Sequence, residues 1–323
     1  MDNGGADPEL VQVRGRVVDF VTGQPVAGEA TLGTSGLAVS PQVTVQGAAF
    51  SIPEVPANSV FHVEASVPPD YAPTTAGVTV IDADLATDVP AVSRALLSQA
   101  GAAFGVTPTP GRGMLLIQLV ADAGQPRAGI AASSLAFYGD LDARGPFFLN
   151  EALVPSAGVA ATAAKGWAMY LEIDPALVGL RAAAGANLTI DMPESPVSAG
   201  GVTVVRATVT DGPVVAPKNV SFTQTVMPIF QKRGCNACHA AGKGPGRQQG
   251  GLTLNDDPAK VYRELVEEKV GRVNVAMPDR STVLTYPSRE TPPDGHPNVT
   301  FTSPADPDYQ KIRAWIAEGA KED

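Results

Sequence analysis

The sequence predicts a multidomain fold, with two antiparallel β-sandwich modules followed by a small all-α domain. Gly 33 and Pro 29, together with only 17% charged residues, indicate short strands joined by many turns. Runs such as VFHVEASV alternate apolar and polar residues, which is the period of a half-buried strand and puts His62 on the exposed face. Strand periodicity stops near residues 211–221, where helical patterns begin. We therefore expect domains at 1–92, 93–216 and 217–323.

The first module begins with an apolar strand and a turn of recognisable chemistry. Residues 13–28 read VRGRVVDFVTGQPVAG, and residues 120–129 repeat the turn as VADAGQPRAG. An Asp, a Gly and a Pro at these positions are typical of a hairpin turn between strands. Residues 13–28 resemble the opening of carboxypeptidase-regulatory or transthyretin-like modules, β-sandwiches that are common in secreted bacterial proteins. That resemblance implies a module that positions another part of the chain, since fold alone supplies no function.

The second module begins with a short helix, SRALLSQAGAAFG. We expect Ser93 to cap its N-terminus and Gly105 to end it. New strand-like runs follow, including MLLIQLVAD, WAMYLEID and VTVVRATVT. This pattern again predicts an antiparallel sandwich.

Charge and hydropathy exclude several classes of function. Residues 1–220 contain 10 basic and 20 acidic side chains, so the net charge of −10 lies in the β-rich part. A nucleic-acid partner is therefore not expected, because binding phosphate requires a basic face. No apolar run has the length of a membrane span, and the N-terminus lacks signal-peptide features. We expect a soluble, mature chain whose membrane attachment would depend on a removed N-terminal segment.

Two amphipathic helices are predicted in the last hundred residues. The stretch SFTQTVMPIFQKRG places Val226, Ile229 and Phe230 on one face, and PDYQKIRAWIAEGA does so for Tyr309, Ile312 and Ile316. The first helix is expected to end at Gly234, just before the two cysteines of the chain.

The motif C-x-x-C-H at residues 235–239 carries the chemistry. Cys235 and Cys238 have the spacing that forms two thioethers to haem, and His239 then lies beside the iron as proximal ligand. A structural zinc site would need a second pair of ligands, and a thioredoxin-like motif would need a βαβ context; neither is found in this sequence. The motif thus predicts one covalently bound haem c.

A helix before C-x-x-C-H and an aromatic helix after it resemble the class I cytochrome c fold over about residues 222–320. More narrowly, the order CNACHA, GGLTLN, D-x-D-Y-x-x-I-x-x-W-I resembles single-haem cytochrome domains fused to secreted bacterial proteins. The resemblance implies electron transfer and a distal histidine in an H-G-G-G loop before the last helix. This sequence has His296-Pro297-Asn298-Val299 there instead.

The sixth iron ligand is open to two candidates. His296 is the imidazole of the C-terminal part that remains after His239, and its position matches the distal loop of the resembled family. Met277 is followed by Pro278, as in many class I cytochromes, and is the alternative. We expect His296, which would give a lower reduction potential than methionine ligation. An open sixth site is the third possibility.

The sequence therefore predicts an extracytoplasmic c-type cytochrome that transfers single electrons and is not an enzyme. Its location would be the periplasm, the cell surface or the medium, because haem c is attached after export. Its partners would be a redox protein or neighbouring copies, and Lys232, Arg233, Lys243 and Arg247 form a candidate docking face. The alternative is a surface, adhesion or self-assembling protein in which haem is structural or sensory.

Overall fold

The computed structural model describes residues 10–37, 41–56, 60–79, 83–121, 123–138, 141–212, 217–239, 250–254, 257–269, 271–288, 300–301, 304 and 306–323. Of the described residues, 36% are in strands and 21% in helices, so this part of the chain is richer in β than in α structure. Its strands in chain order are β1 Leu10–Asp19, β2 Thr31–Ser35, β3 Thr44–Gln46, β4 Ala49–Pro56, β5 Val60–Ser66, β6 Thr74–Thr79, β7 Leu85–Ala86, β8 Val89–Ala91, β9 Gly113–Val120, β10 Leu135–Phe137, β11 Arg144–Phe148, β12 Trp167–Ile173, β13 Ala176–Val178, β14 Leu180–Ala182, β15 Leu188–Asp191, β16 Ser195–Val197 and β17 Val202–Asp211.

The N-terminal strands form a sandwich. One sheet has the order β3-β4-β1-β7, with β8 also paired to β1, and both β7 and β8 run parallel to β1. Its inner face packs on β5 and β6, with Val13, Ile52, Phe61 and Val63 in the shared apolar core. Aligned apolar positions on two facing sheets make this the β-sandwich that the alternating pattern predicts.

A second, eight-stranded sheet joins the two halves of the β-rich part. Its order is β11-β12-β9-β17-β6-β5-β2, with β15 also paired to β17. Strand β17 runs parallel to β6 on one side and parallel to β9 on the other, so Val202 is paired with both Thr74 and Met114. Strands from both sides of residue 92 thus belong to one mixed sheet.

The predicted fold class is wrong. Two separate antiparallel sandwiches are replaced by a mixed sheet that continues from one predicted module into the next. A small all-α cytochrome c domain is not evident either, because the α-helices described after residue 217 are short, from 4 to 11 residues. Part of the physical reason lies in proline: Pro258 and Pro307 each occupy the first position of a helix and limit its extension toward the N-terminus.

The central strands of the large sheet are buried on both faces. Along β9, Leu115 and Ile117 belong to one apolar cluster and Leu116 to another on the opposite face. The second cluster includes helix α1, Arg94–Phe104, which lies across that face. As predicted, the Ser93 side chain caps α1 by accepting from Leu96 N, and Gly105 ends it in a left-handed conformation. Two covered faces explain why β9 is apolar almost throughout.

Short helices and turns surround one apolar cluster in the C-terminal part. The α-helices are α2 Met227–Lys232, α3 Cys235–Cys238, α4 Pro258–Tyr262, α5 Thr282–Thr285 and α6 Pro307–Ala317; π-helical turns at Phe222–Val226 and Arg263–Glu267 extend α2 and α4, and a 3₁₀ turn at Pro278–Arg280 precedes α5. The apolar faces predicted for the two helices are buried: Val226, Ile229, Phe230, Tyr309, Ile312 and Ile316. The π-helical turn before α2 contacts α6 through Phe222 and Trp315, whose ring centroids are 5.2 Å apart.

Candidate functional site

The C-x-x-C-H motif folds as one short helical turn. Gly234 precedes α3 in the left-handed conformation, which glycine adopts without steric cost and which turns the chain sharply after α2. Within the motif, the backbone N–H of His239 donates to the carbonyl of Cys235 at 3.0 Å. Cys235 is half-buried and packs against the C-terminal apolar cluster. The backbone of Cys238 belongs to α3, but its side chain lies outside the described residues.

The His239 ring is held in a defined orientation. Its Nδ1 atom is 3.0 Å from the carbonyl oxygen of Leu252, and the N–H of Leu254 donates to the carbonyl of His239 at 2.8 Å. A carbonyl oxygen only accepts, so the proton of the neutral ring is on Nδ1 and the lone pair is on Nε2. This tautomer is the one in which a histidine binds a metal through Nε2 while a carbonyl fixes its ring.

The surroundings of His239 favour its neutral form. Burial lowers the pKa of His239; the hydrogen bond to Leu252 opposes that change, and the nearby charge of Arg272 adds to it. A neutral imidazole is the form that ligates iron. The half-buried thiol, the adjacent imidazole and its fixed tautomer therefore fit a haem c attached at this turn.

Two buried charged residues hold the segment that supplies the Leu252 carbonyl. Glu264 accepts from the N–H of Thr253 at 2.6 Å, and Arg272 donates to the carbonyls of Gly250 and Glu264. Neither residue is singled out by the sequence, because a Glu in a helical segment and an Arg in a loop are usually exposed. The stretch GGLTLN is the signal that points to this segment, although it does not indicate which atom contacts the histidine.

The basic residues before the motif are occupied by ion pairs. Arg233 binds Asp306 and Asp308, and Lys232 lies 2.9 Å from Asp308. Both carboxylates are almost fully buried, and so is most of Arg233, whereas the Lys232 side chain is 68% exposed. Of the four residues of the predicted docking face, Arg233 is therefore committed to internal ion pairs and Lys232 stays exposed. Lys243 and Arg247 lie outside the described residues, so the docking face stays a prediction.

Of the two predicted distal ligands, Met277 belongs to the described residues. His296 lies outside the described residues. Met277 is 47% exposed, and its backbone N–H donates to the Asn274 side chain at 2.9 Å. The choice between the two stays a prediction. Among the residues described, no group of three His, Cys, Asp or Glu side chains comes together as a metal site.

His62 is buried, which corrects the prediction of an exposed strand residue. It lies in β5, an interior strand of the eight-stranded sheet, with Gly77 of β6 directly opposite. A Cβ on Gly77 would lie 3.8 Å from His62 Cδ2, an ordinary van der Waals distance, so the ring lies beside this glycine. Burial lowers the pKa of His62 to about 4.

Comparisons with known proteins add little. No family model and no curated protein matches the chain. Among solved structures, the Bacillus anthracis TIE protein is 13% identical with a TM-score of 0.22, covering 63% of this chain and 34% of its own. A CBM26 module of Eubacterium rectale Amy13K is 11% identical with a TM-score of 0.20, covering 63% of this chain and 97% of its own. Shaft pilin SpaA from Lactobacillus rhamnosus GG is 7% identical with a TM-score of 0.19, covering 65% of this chain and all of its own.

Likeness at this level carries no inference about function. Within the described residues, no helix is long and apolar enough to cross a membrane.

Proposed function

We propose that this protein carries one haem c on Cys235, Cys238 and His239 and transfers single electrons. The observation that supports this most directly is the contact between His239 Nδ1 and the Leu252 carbonyl, which prepares Nε2 as an iron ligand. The two thiols would hold the porphyrin through thioethers. When bound, the haem would supply an iron centre that changes oxidation state by one electron. The proposal depends on this attachment turn and not on a cytochrome fold.

The chain's own residues would set the properties of the site. The Leu252 carbonyl increases the basicity of the His239 ring, and a more basic ligand stabilises ferric iron and lowers the reduction potential. The apolar cluster that contacts Cys235 excludes water from that side of the turn, and a dry environment acts in the opposite direction by disfavouring the added ferric charge. His296 would complete the coordination, with Met277 as the alternative.

The cellular location and the electron-transfer partner follow from the same proposal. Attachment of haem c takes place outside the cytoplasm, so the protein would work in the periplasm, at the cell surface or in the medium. A redox protein or a neighbouring copy would exchange electrons with it.

Covalent attachment is tested by expressing the full chain for export in a host that matures c-type cytochromes. The denatured protein should keep its haem colour after extraction with acidified solvent. Cys235→Ala and Cys238→Ala should each lower the covalent haem content, whereas Asn236→Ala, between the two cysteines, should retain it. Complete loss of colour from the unsubstituted protein on extraction would refute the proposal.

The alternative role, a surface protein with a structural or sensory haem, differs from electron transfer in how the iron responds to redox titration and in what haem loss does to folding. An electron carrier should give a reversible one-electron transition in a redox titration of the holoprotein and should stay folded in both oxidation states. Failure of the iron to cycle, together with unfolding when the haem is absent, would favour the structural role.

A further inference from the structure

We infer that Glu264 and Arg272 are positioning residues for His239: together they clamp the loop at residues 250–254 so that its central carbonyl meets the Nδ1 atom of the ring. This inference rests on the proposed function, because it concerns how the proximal ligand is tuned. Neither residue touches the ring through a hydrogen bond that is described. Their effect is transmitted by the backbone of the loop.

Glu264 holds the loop just after Leu252. Its Oε2 atom accepts from the N–H of Thr253 at 2.6 Å, and its side chain is only 2% exposed. A buried carboxylate is costly unless its hydrogen bonds are well made, so a short bond to a backbone N–H is a strong restraint. The Thr253 N–H that donates to Glu264 and the Leu252 carbonyl belong to the same peptide unit. Fixing that N–H therefore fixes the direction of the carbonyl, since the peptide bond is planar.

Arg272 holds the loop on the other side of Leu252. Its Nη2 atom donates to the carbonyl of Gly250 at 2.5 Å, and its Nη1 atom donates to the carbonyl of Glu264. The guanidinium is thus a bridge between the loop and the helical segment that carries Glu264. A Cβ on Gly251 would lie 3.4 Å from Arg272 Nη2, which shows how closely the side chain follows the loop. Arg272 is 7% exposed, so water contributes little to these contacts.

The clamp has a chemical consequence at the ring. The strength of the hydrogen bond from Nδ1–H to a carbonyl governs the basicity of Nε2 and thereby the potential of the iron it ligates. A loop that rocks by a fraction of an ångström would weaken that bond. The loop contacts His239 at two points: the N–H of Leu254 donates to the His239 carbonyl, and the Leu252 carbonyl accepts from the His239 ring. Both contacts require a rigid loop.

Geometry and charge are separated by conservative variants. Glu264→Gln removes the charge but keeps an oxygen that can accept from Thr253 N–H, whereas Glu264→Leu removes both. Arg272→Lys keeps the charge but has one donor nitrogen in place of the planar fork, so it does not reproduce the contacts that Nη1 and Nη2 make with two separate carbonyls. If positioning matters, Glu264→Gln should resemble the wild type in the exchange of the His239 Nδ1 proton, and Arg272→Lys should resemble Arg272→Met in the same measurement. Glu267→Gln and Arg263→Lys are matched controls, since both residues are exposed on the same helical segment.

The readout is the exchange with solvent of the His239 Nδ1 proton, followed by NMR in the reduced holoprotein, together with the reduction potential. Glu264→Leu and Arg272→Lys should speed the exchange by about tenfold or more, the change expected when a buried hydrogen bond is lost. The potential should rise in Glu264→Leu and in Arg272→Lys, because a weaker hydrogen bond makes a less basic ligand. Unchanged exchange in both variants would overturn the inference, as would an equal rise in exchange for Glu264→Gln and Glu264→Leu.

A measurement on the unsubstituted protein covers variants that do not accumulate. The amide of Thr253 and the Nδ1 proton of His239 should exchange slowly and together in wild type. Fast exchange of Thr253 N–H in a protein whose core amides are protected would also overturn the clamp. Covalent haem content is measured first in every sample: its absence from wild type defeats the proposed function, whereas its presence with unaltered exchange defeats the clamp alone.

Discussion

The guanidinium of Arg233 lies 2.8 Å from the carboxylate of Asp306, across 73 positions of sequence. Arg233 stands two residues before the attachment turn, and Asp306 caps the last helix by accepting from the N–H groups of Asp308 and Tyr309. Arg233 also donates to the Thr300 carbonyl at 3.0 Å. One ion pair therefore joins the entry to the C-x-x-C-H turn to the start of α6.

Removing this carboxylate should destabilise the C-terminal part strongly. In Asp306→Ala the helix loses its cap and the buried Arg233 loses a partner, for which we expect a loss of about 3 kcal/mol in the free energy of unfolding. Urea unfolding followed through the fluorescence of the two tryptophans, Trp167 and Trp315, would measure it. The matched control is Asp142→Ala, whose carboxylate is 75% exposed beside Arg112 and should cost no more than about 1 kcal/mol. Equal losses in the two variants would contradict the importance of this pair.

Buried His62 should make the β-rich part sensitive to mild acid. In the unfolded chain a histidine titrates near pH 6.5, whereas burial lowers the pKa of His62 to about 4 in the folded protein. Between these values the unfolded state binds a proton that the folded state does not. The contribution of neutral His62 to the free energy of unfolding is therefore complete above about pH 6.5. It is lost as the pH falls toward 4, which lowers the free energy of unfolding by up to about 3 kcal/mol.

The test is the difference between wild type and His62→Gln in urea unfolding from pH 7.5 to 4. Wild type should lose more stability than the variant over this interval, because the variant lacks the titrating ring. Parallel pH profiles for the two proteins would show that His62 is already protonated or exposed when folded.

The close approach of β1 to the segment after β7 should make Gly15 intolerant of any side chain. A Cβ at this position would lie 1.6 Å from the Thr87 carbonyl oxygen. Because the obstacle is backbone, no rotamer change relieves it, and Gly15→Ala should cost about 3 kcal/mol. Gly33→Ala in β2 is the control, since nothing lies within 4 Å of its new Cβ. Thermal unfolding compares the two, and similar melting temperatures would refute the close approach.

The distal ligand is decided by two substitutions in the holoprotein. His296→Ala should let carbon monoxide or cyanide bind the iron and should raise the potential. Met277→Leu should leave the spectrum nearly unchanged, in line with a side chain that is half exposed. The reverse pattern, with ligand binding only in Met277→Leu, would assign the methionine.

Local features of the fold could be predicted because their causes lie within a few residues. The cap at Ser93, the end of α1 at Gly105 and the two apolar helix faces all follow from short-range patterns. The turns after β1 and β9 also agree with the sequence pattern. Gly23 and Gly124 are both in the left-handed conformation that the repeated Gly-Gln-Pro suggests.

Long-range relationships could not be predicted in this way. The alternation around His62 indicates a strand, but it does not show that both faces of its sheet are covered. Arg233 resembles a surface charge until Asp306 and Asp308 are brought to it by the fold. At the candidate site the motif indicates Cys235, Cys238 and His239, whereas the contribution of Glu264 and Arg272 depends on a loop path that no spacing reveals.

The parallel pairing of β17 with β6 has a consequence for how the chain assembles. Thr74 and Val202 are neighbours in the sheet, yet more than a hundred residues separate them along the chain. Pairing across such an interval closes a long loop, which makes it entropically costly and slow. The N-terminal half must therefore wait with an unsatisfied edge on β6 until β17 arrives. Since β17 is also the last strand before the C-x-x-C-H turn, the strand that closes the sheet leads the chain directly into the attachment site.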